Sequence, residues 1–404
     1  MKKTSLGILS ISLKNLRVKP VRTACLVVVA AILALTVFGG SILVLNLRNG
    51  LNVMTKRFGA NLMVVPRGSG QRAETLLLRG VTTNFYFDAS VVDIINQTDG
   101  VVRASPQLFL TSLSDSDCCD APVQLIAYEP STDFVVQPWI SERLSSPVSD
   151  GQIVIGNHIV ERSNGTVQLF GHEYPVAARL SRSASGFDTS IFMTMNTMLH
   201  LISRGHSEGY SFPADSYEEQ VISAVLVQTD QALSQSLIAR NIIRQNSNVQ
   251  VLVSNTIFSS ITAAISGLTK YIQLFSIALW ALAVIVLLAV FSGIIHERKK
   301  EFALLRILGA TKKHLAGIVL SESFLAGLIG GAIGIFLTSL TVFPFSSLIS
   351  EQLQLPYLDA PFIQIIALAL WSLLVSSFVG PLASLYSAVR ISSAETYFTM
   401  REGE

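Results

Sequence analysis

The chain is poor in charge. Only 14% of its 404 residues are Asp, Glu, Lys or Arg, against about 25% in soluble globular proteins. Half of its residues are hydrophobic and mean hydropathy is +0.52. That excludes an ordinary soluble domain and marks an integral membrane protein. Cysteine is scarce too: three residues exclude a disulfide-rich scaffold. No G-x-x-x-x-G-K-[ST] run occurs, so the chain does not hold ATP through a P-loop. His158, His172, His200 and His206 have neither C-x-x-C nor H-E-x-x-H spacing to another ligand, so no metal site is expected from them. The net charge of +2 says little; its distribution along the chain says more.

What the chain has is long apolar runs. Four of them, at 23–47, 271–295, 315–345 and 361–389, are long enough to cross about 30 Å of hydrocarbon. The first follows a basic N-terminus, as a signal peptide would. Its uncharged run fills 23–47, whereas a secretory core has about 7–15 residues, so it reads as an uncleaved transmembrane helix. Lys2, Lys3, Lys14, Arg17, Lys19 and Arg22 precede it. Leu6, Leu9, Leu13 and Leu16 share a helical face there, so 1–22 reads as an amphipathic helix on the membrane surface, ended by Pro20. Basic residues also fill 296–314 and return at Arg390 and Arg401, while 346–360 has none. The positive-inside rule then puts both termini in the cytoplasm and 48–270 outside.

That external region is expected to be α+β. Strand candidates are 58–68, 101–110, 123–128, 152–155, 165–170, 174–180 and 223–228. Helix candidates are 89–97, 193–203 and 231–245, the last with Leu233, Leu237, Ile238 and Ile242 on one face. Its edges, 49–58 and 257–270, read as helical continuations of the spans and together as a stalk. Asp188 with Thr189 and Ser190 follows a glycine turn and reads as a cap, not a catalytic acid. No nucleophile constellation is evident.

The stretch 296–322, HERKKEFALLRILGATKKHLAGIVLSE, links the second and third spans. Phe302, Leu305, Ile307, Leu308 and Leu315 recur at helical spacing among Arg298, Lys299, Lys300, Arg306, Lys312 and Lys313. The pattern predicts a short amphipathic helix against a membrane. Gly309 ends it and Thr311 caps the next helix. This stretch resembles the cytoplasmic connector of FtsX-like (MacB-type) ABC transporter permeases. The residues carrying the likeness are Glu297, Arg298, Glu301, Ala303, Leu305, Arg306, Leu308, Gly309, Ala310, Thr311 and Glu322. Asn15, Leu16, Arg17, Pro20, Arg22 and Thr23 resemble the same family's basic approach to the first span, and FGANLMVVPRG at 58–68 its first external strand. One span, a large external domain and three further spans is that family's architecture.

The resemblance implies a type VII, mechanotransmission permease in a bacterial cytoplasmic (inner) membrane. It implies that ATP and Mg bind a separate ABC ATPase subunit, with no cofactor in this chain. Glu297, Arg298, Glu301, Leu305, Arg306, Gly309, Ala310 and Thr311 would couple to that subunit. It implies a second permease copy, as homodimer or heterodimer, and leaves room for a periplasmic adaptor or other extracytoplasmic protein. Lipid is a partner; nucleic acid is not. Export or extraction of a substrate is the expected function. The alternative is transmembrane signalling that activates an external partner such as a cell-wall hydrolase.

Three sets of residues stand apart from the connector. Gly327, Gly330, Gly331 and Gly334 form two overlapping Gly-xxx-Gly pairs, which let helix backbones approach closely, within one chain or across a dimer. Glu322 is a carboxylate inside an apolar run, read as orienting the connector or as serving substrate or proton movement. Cys118 and Cys119 are adjacent, among Asp115, Asp117 and Asp120. Their readings are a strained vicinal disulfide, bridges to a second chain, soft-metal capture, or a loop tip with no chemistry. Cys25, inside the first span, reads as an apolar filler.

Overall fold

The computed structural model describes residues 8–18, 20–113, 122–141, 147–212, 221–230, 232–307, 309–344 and 356–393. Cys118 and Cys119 lie outside these residues. Contacts divide the chain into two compact units. One is helical and is built from residues 1–46, 265–349 and 359–404; the other comprises 47–264 and 350–358.

The helical unit starts with α1 (Ile8–Val18) and α2 (Pro20–Phe58), and continues with α8 (Ser254–Ile307), α9 (Lys312–Val342) and α10 (Phe362–Ser393). Among the described residues, four helices are long and apolar enough to cross a membrane: they lie in Thr23–Phe58, Ser254–Val290, Lys313–Val342 and Phe362–Leu385. Leu16, Leu26, Leu33, Ala283, Leu287, Leu315, Val319, Ala326, Val379 and Ala383 form the unit's apolar core. α1 contributes to it through Leu16, and Ser12 is buried beside it; Leu13, expected on the same face, is 52% exposed. Ser12 Oγ donates to the carbonyl of Ile318 on α9 at 3.4 Å, so the contact follows a polar step in the stripe as well as a leucine.

α8 departs most from the sequence reading. A stalk continuous with its span was expected, followed by a separate connector helix; one helix of 54 residues runs through all three. Nothing in 254–307 breaks it, because its glycines at 267 and 293 are lone interior residues and it has no proline. Composition changes twice along it while the helix continues.

The second unit is α+β, as its mixed patterns predict. Its elements in chain order are β1 (Leu62–Pro66), α3 (Gly70–Arg79), β2 (Phe87–Asp88), α4 (Val91–Asn96), β3 (Val101–Thr111), β4 (Gln124–Tyr128), α5 (Gln137–Ser141), β5 (Ile153–Ile155), β6 (Thr166–Leu169), β7 (His172–Arg179), β8 (Ser190–Thr194), α6 (Met195–Ser207), β9 (Val221–Ile222), β10 (Ala224–Thr229), α7 (Gln235–Gln245) and β11 (Val249–Val253). Among the described residues, nine strands form one mixed sheet in the order β11-β1-β10-β3-β4-β8-β5-β7-β6. β4 with β8 and β5 with β7 are parallel; the other neighbours are antiparallel.

Alternation along β1 assigns the two faces of the sheet. Met63 and Val65 join Ala73, Leu76 and Leu77 of α3, Trp139 and Ile140 of α5, and Phe58 and Phe258 from the adjoining ends of α2 and α8. Leu62 and Val64 face the other way, against Ile95 of α4 and Ile238 and Ile242 of α7. Farther along that face, Leu108, Leu125, Ile153 and Met193 pack on Met198 and Leu201 of α6. α7 buries Ile238, Ala239 and Ile242, while Leu237, expected with them, is 41% exposed.

Candidate functional site

The turn between α8 and α9 is built from a few residues. α8 ends at Ile307, and Gly309 has φ 94°, a left-handed backbone that L side chains rarely adopt. Thr311 then starts α9 from extended backbone, its Oγ1 accepting from the His314 N–H at 3.4 Å and lying 3.0 Å from His314 Nδ1. A hydroxyl there satisfies one of the open N–H groups of the first turn. Leu315 is fully buried in the helical core, which anchors the start of α9. Leu304 and Ile307, three residues apart on α8, are 59% and 61% exposed; Thr311, Lys313 and His314 are exposed as well. The turn therefore offers two exposed apolar side chains and the exposed cation of Lys313, carried between two long helices. Glu297, Arg298, Glu301, Leu305 and Arg306 belong to the last turns of α8, but their side chains fall outside the described residues.

Behind the turn, α9 is held by two seams. Any Cβ on Gly327 would meet the Ser376 carbonyl at 2.9 Å, and one on Gly331 would overlap Ser376 Oγ, so both glycines face α10. Gly330 and Gly334 face α2 instead, where a Cβ would overlap the carbonyls of Val27 and Ala31. The two overlapping glycine pairs thus serve two neighbours inside one chain. α10 answers with its own small residues at four-residue spacing, Ser372, Ser376, Gly380 and Ser384, all of them buried. Ser323 Oγ and Ser384 Oγ lie 3.1 Å apart across this seam. The serine ladder is missed when the fourth run is read only for hydropathy; its i, i+4 repeat of small residues is the signal.

Glu322 is 2% exposed, one helical turn beyond Ile318, which receives the Ser12 hydroxyl of α1. Asn46, at the other end of the first span, is also buried. Its Nδ2 donates to Asp359 Oδ1 at 3.1 Å, and its Oδ1 accepts from the Ala360 N–H at 3.0 Å, fixing the start of α10. Cys25 is exposed on α2.

Among the described residues, no group of three or more His, Cys, Asp or Glu is placed to hold a metal ion. His172 Nε2 sits 2.9 Å from Glu208, and the His206 ring packs edge-on against Phe212. Asp188 caps no α-helix; its buried carboxylate accepts from the Ser183 and Ala184 N–H groups and ties down the loop before β8.

Residues 273–395, which include the turn, α9 and α10, match the family of FtsX-like permease C-terminal domains. The C-terminal region of the chain is similar to that family. No curated protein matches it in sequence. Among solved structures, the periplasmic region of MacB from Actinobacillus actinomycetemcomitans aligns with 51% of this chain and 95% of its own length, at 13% identity and a TM-score of 0.32. The extracellular domain of the noncanonic ABC-type transporter YknZ from Gram-positive bacteria aligns with 48% of this chain and 98% of its own, at 14% identity and a TM-score of 0.27. Among the described residues the chain thus joins four helices long and apolar enough to cross a membrane to a C-terminal region similar to FtsX-like permeases.

Proposed function

We propose that this permease is the membrane subunit of an ABC transporter whose separate ATPase subunit binds ATP and Mg and docks on the α8–α9 turn. The observation that carries the reading is that turn: a left-handed Gly309, a capped α9 and an exposed Leu304–Ile307 patch beside Lys313, inside the matched region. α8 continues without a break from the turn to the sheet, so a push on Ile307 has a stiff path along 54 residues. Both termini and the turn face the cytoplasm, and the α+β unit is extracytoplasmic, as the distribution of Lys and Arg supports. Coupling of ATP hydrolysis to movement of that unit would serve export or extraction of a substrate.

A second copy of the permease belongs to this proposal. Tyr271, Leu274, Phe275, Ile277, Leu282 and Ile285 of α8 are more than half exposed within one chain, leaving that helix an apolar face for lipid or a partner. The glycine pairs of α9 are not needed for it, since each already has a neighbour. An adaptor or other external protein would complete the assembly.

The test is purification of the tagged chain in mild detergent, with identification of what accompanies it and an ATPase assay. A stoichiometric P-loop ATPase is expected, its activity stimulated by the permease. Replacing Glu301 or Arg306 by Ala should abolish stimulation while the variant still inserts and assembles. Full stimulation by both variants would refute docking on the connector.

A further inference from the structure

The two edges of the nine-stranded sheet are finished differently. At the β6 edge the chain covers itself. The Val176 N–H donates to the Gly165 carbonyl at 3.0 Å, so the backbone groups of the next residue, Thr166, point off the sheet. Both are met within the chain. The Thr166 carbonyl accepts from the Arg162 N–H at 2.9 Å, and its N–H donates to Asn164 Oδ1 at 3.3 Å. The Arg162 guanidinium pairs with Glu173 at 3.1 Å, which fixes charge on that edge. An edge with its groups filled and charge upon it resists a further strand.

The β11 edge has none of these devices. The Arg67 N–H donates to the Asn248 carbonyl at 2.8 Å and the Ser254 N–H to the Asn61 carbonyl at 2.9 Å, one at each end of the β1–β11 register. Residues 248, 250, 252 and 254 therefore turn their backbone groups toward β1. Alternation along an antiparallel ladder turns the N–H groups of Val249, Val251 and Val253, and the carbonyls of Val249 and Val251, the other way. β11 ends the sheet on this side, so among the described residues no strand meets them. Its sequence, VQVLV, holds no charge and no proline, and all of it after Val249 is only part-buried. Charge around this edge has one sign. Residues 231–296 contain no Asp or Glu, and residues 47–87 contain Glu74 alone. Arg67 is bonded to Asn248, the residue before β11, and Arg244 sits in the last turn of α7, whose C-cap Asn246 leads into the strand. Both arginines are exposed.

We propose that the free edge of β11 takes up an extended segment of a partner polypeptide as a further antiparallel strand, with apolar side chains along it and carboxylates at the end that reaches Arg67 and Arg244. Backbone hydrogen bonds supply the attachment, the apolar run supplies burial, and the two arginines select an acidic end. β11 runs away from the arginines, so in an antiparallel pair the acidic end of the segment is its C-terminal one. The external protein of the proposed assembly is the natural bearer of such a segment, and to that extent the inference rests on the permease reading. Binding to the edge itself needs no ATPase, so either can fail alone.

The experiment uses the full chain in phosphatidylcholine nanodiscs and a fluorescent synthetic peptide of alternating Val and Thr that ends in two Asp. Fluorescence anisotropy should show saturable binding that weakens as salt rises. The same peptide ending in two Lys should bind about ten-fold more weakly or not at all, because it would meet like charge. Val251→Pro removes an outward N–H without touching the ladder to β1, and proline is tolerated on a strand edge. That variant should keep its melting temperature and lose the peptide. If V251P folds poorly, the charge reversal R67E/R244E carries the test instead: it should prefer the Lys peptide. No saturable binding of either peptide, binding that survives in a folded V251P, or an unchanged preference in R67E/R244E overturns the proposal and leaves the permease reading intact. Absence of an ATPase from the purified assembly overturns that reading and leaves the edge as it is.

Discussion

Single residues set the tolerances of this molecule. Asn46 is one: replacing it with Ala leaves the buried Ala360 N–H without its acceptor, which costs about 1–3 kcal/mol, and Asn46→Asp should be worse because a second carboxylate would face Asp359. Thermal unfolding in detergent should rank wild type above Ala above Asp. The α9 glycines should also differ among themselves. Gly331 faces a serine hydroxyl that can rotate away, whereas Gly330 faces the backbone of α2. Gly331→Ala should therefore lower the melting temperature less than Gly330→Ala, with overpacking costs of about 1–3 kcal/mol. Asp133 has a pH signature. Its carboxyl is raised above the ordinary 3.8 by burial, against the pull of backbone N–H groups and Arg103. The folded state then holds its proton more tightly than the unfolded chain does, so stability is greatest where Asp133 is protonated. It falls as pH rises from about 4 through the raised value, where the unfolded chain ionises freely. D133N should flatten that fall, as measured by melting temperature across the same range.

Elements were legible in the sequence to the extent that they carried a period or a stop signal. The connection from Gly309 to Thr311 was readable because a residue that favours positive φ and a capping hydroxyl sit two apart. β3, β4 and β10 were readable as bounded apolar runs. β8 was not: all five of its residues are buried, so it lacks alternation, and its sequence SIFMT runs straight into the next helix with Thr194 serving as both last strand residue and cap. α3 was missed because its apolar residues are few and Gly70 opens it without a capping side chain. The unity of α8 was hidden for another reason. Charge and hydropathy report what surrounds a helix, not whether its hydrogen bonds continue. Helix continuity makes a prediction at this scale: a proline at Leu288 removes a backbone hydrogen bond and kinks the helix. The variant should retain membrane insertion while losing ATPase stimulation, because the helix leading away from the turn would be interrupted.

At the scale of the whole molecule, the α+β unit borrows part of its core from helices that belong to the spans. Met54 and Phe58 at one end and Ile257 and Phe258 at the other are buried in the same cluster as Met63, Trp139 and Phe192. A soluble fragment 47–264 should therefore melt cooperatively, and a fragment 60–253 should melt at least several degrees lower or fail to fold, as circular dichroism would report. The sheet order adds a further consequence. β1 and β11, the first and last strands of the unit, are antiparallel neighbours with Leu62 opposite Val253. β1 pairs with β10 on its other side, so the chain's way in and its way out are built into one edge of the nine-stranded sheet. One residue inserted beside either strand would slip this register and turn its side chains to the opposite face.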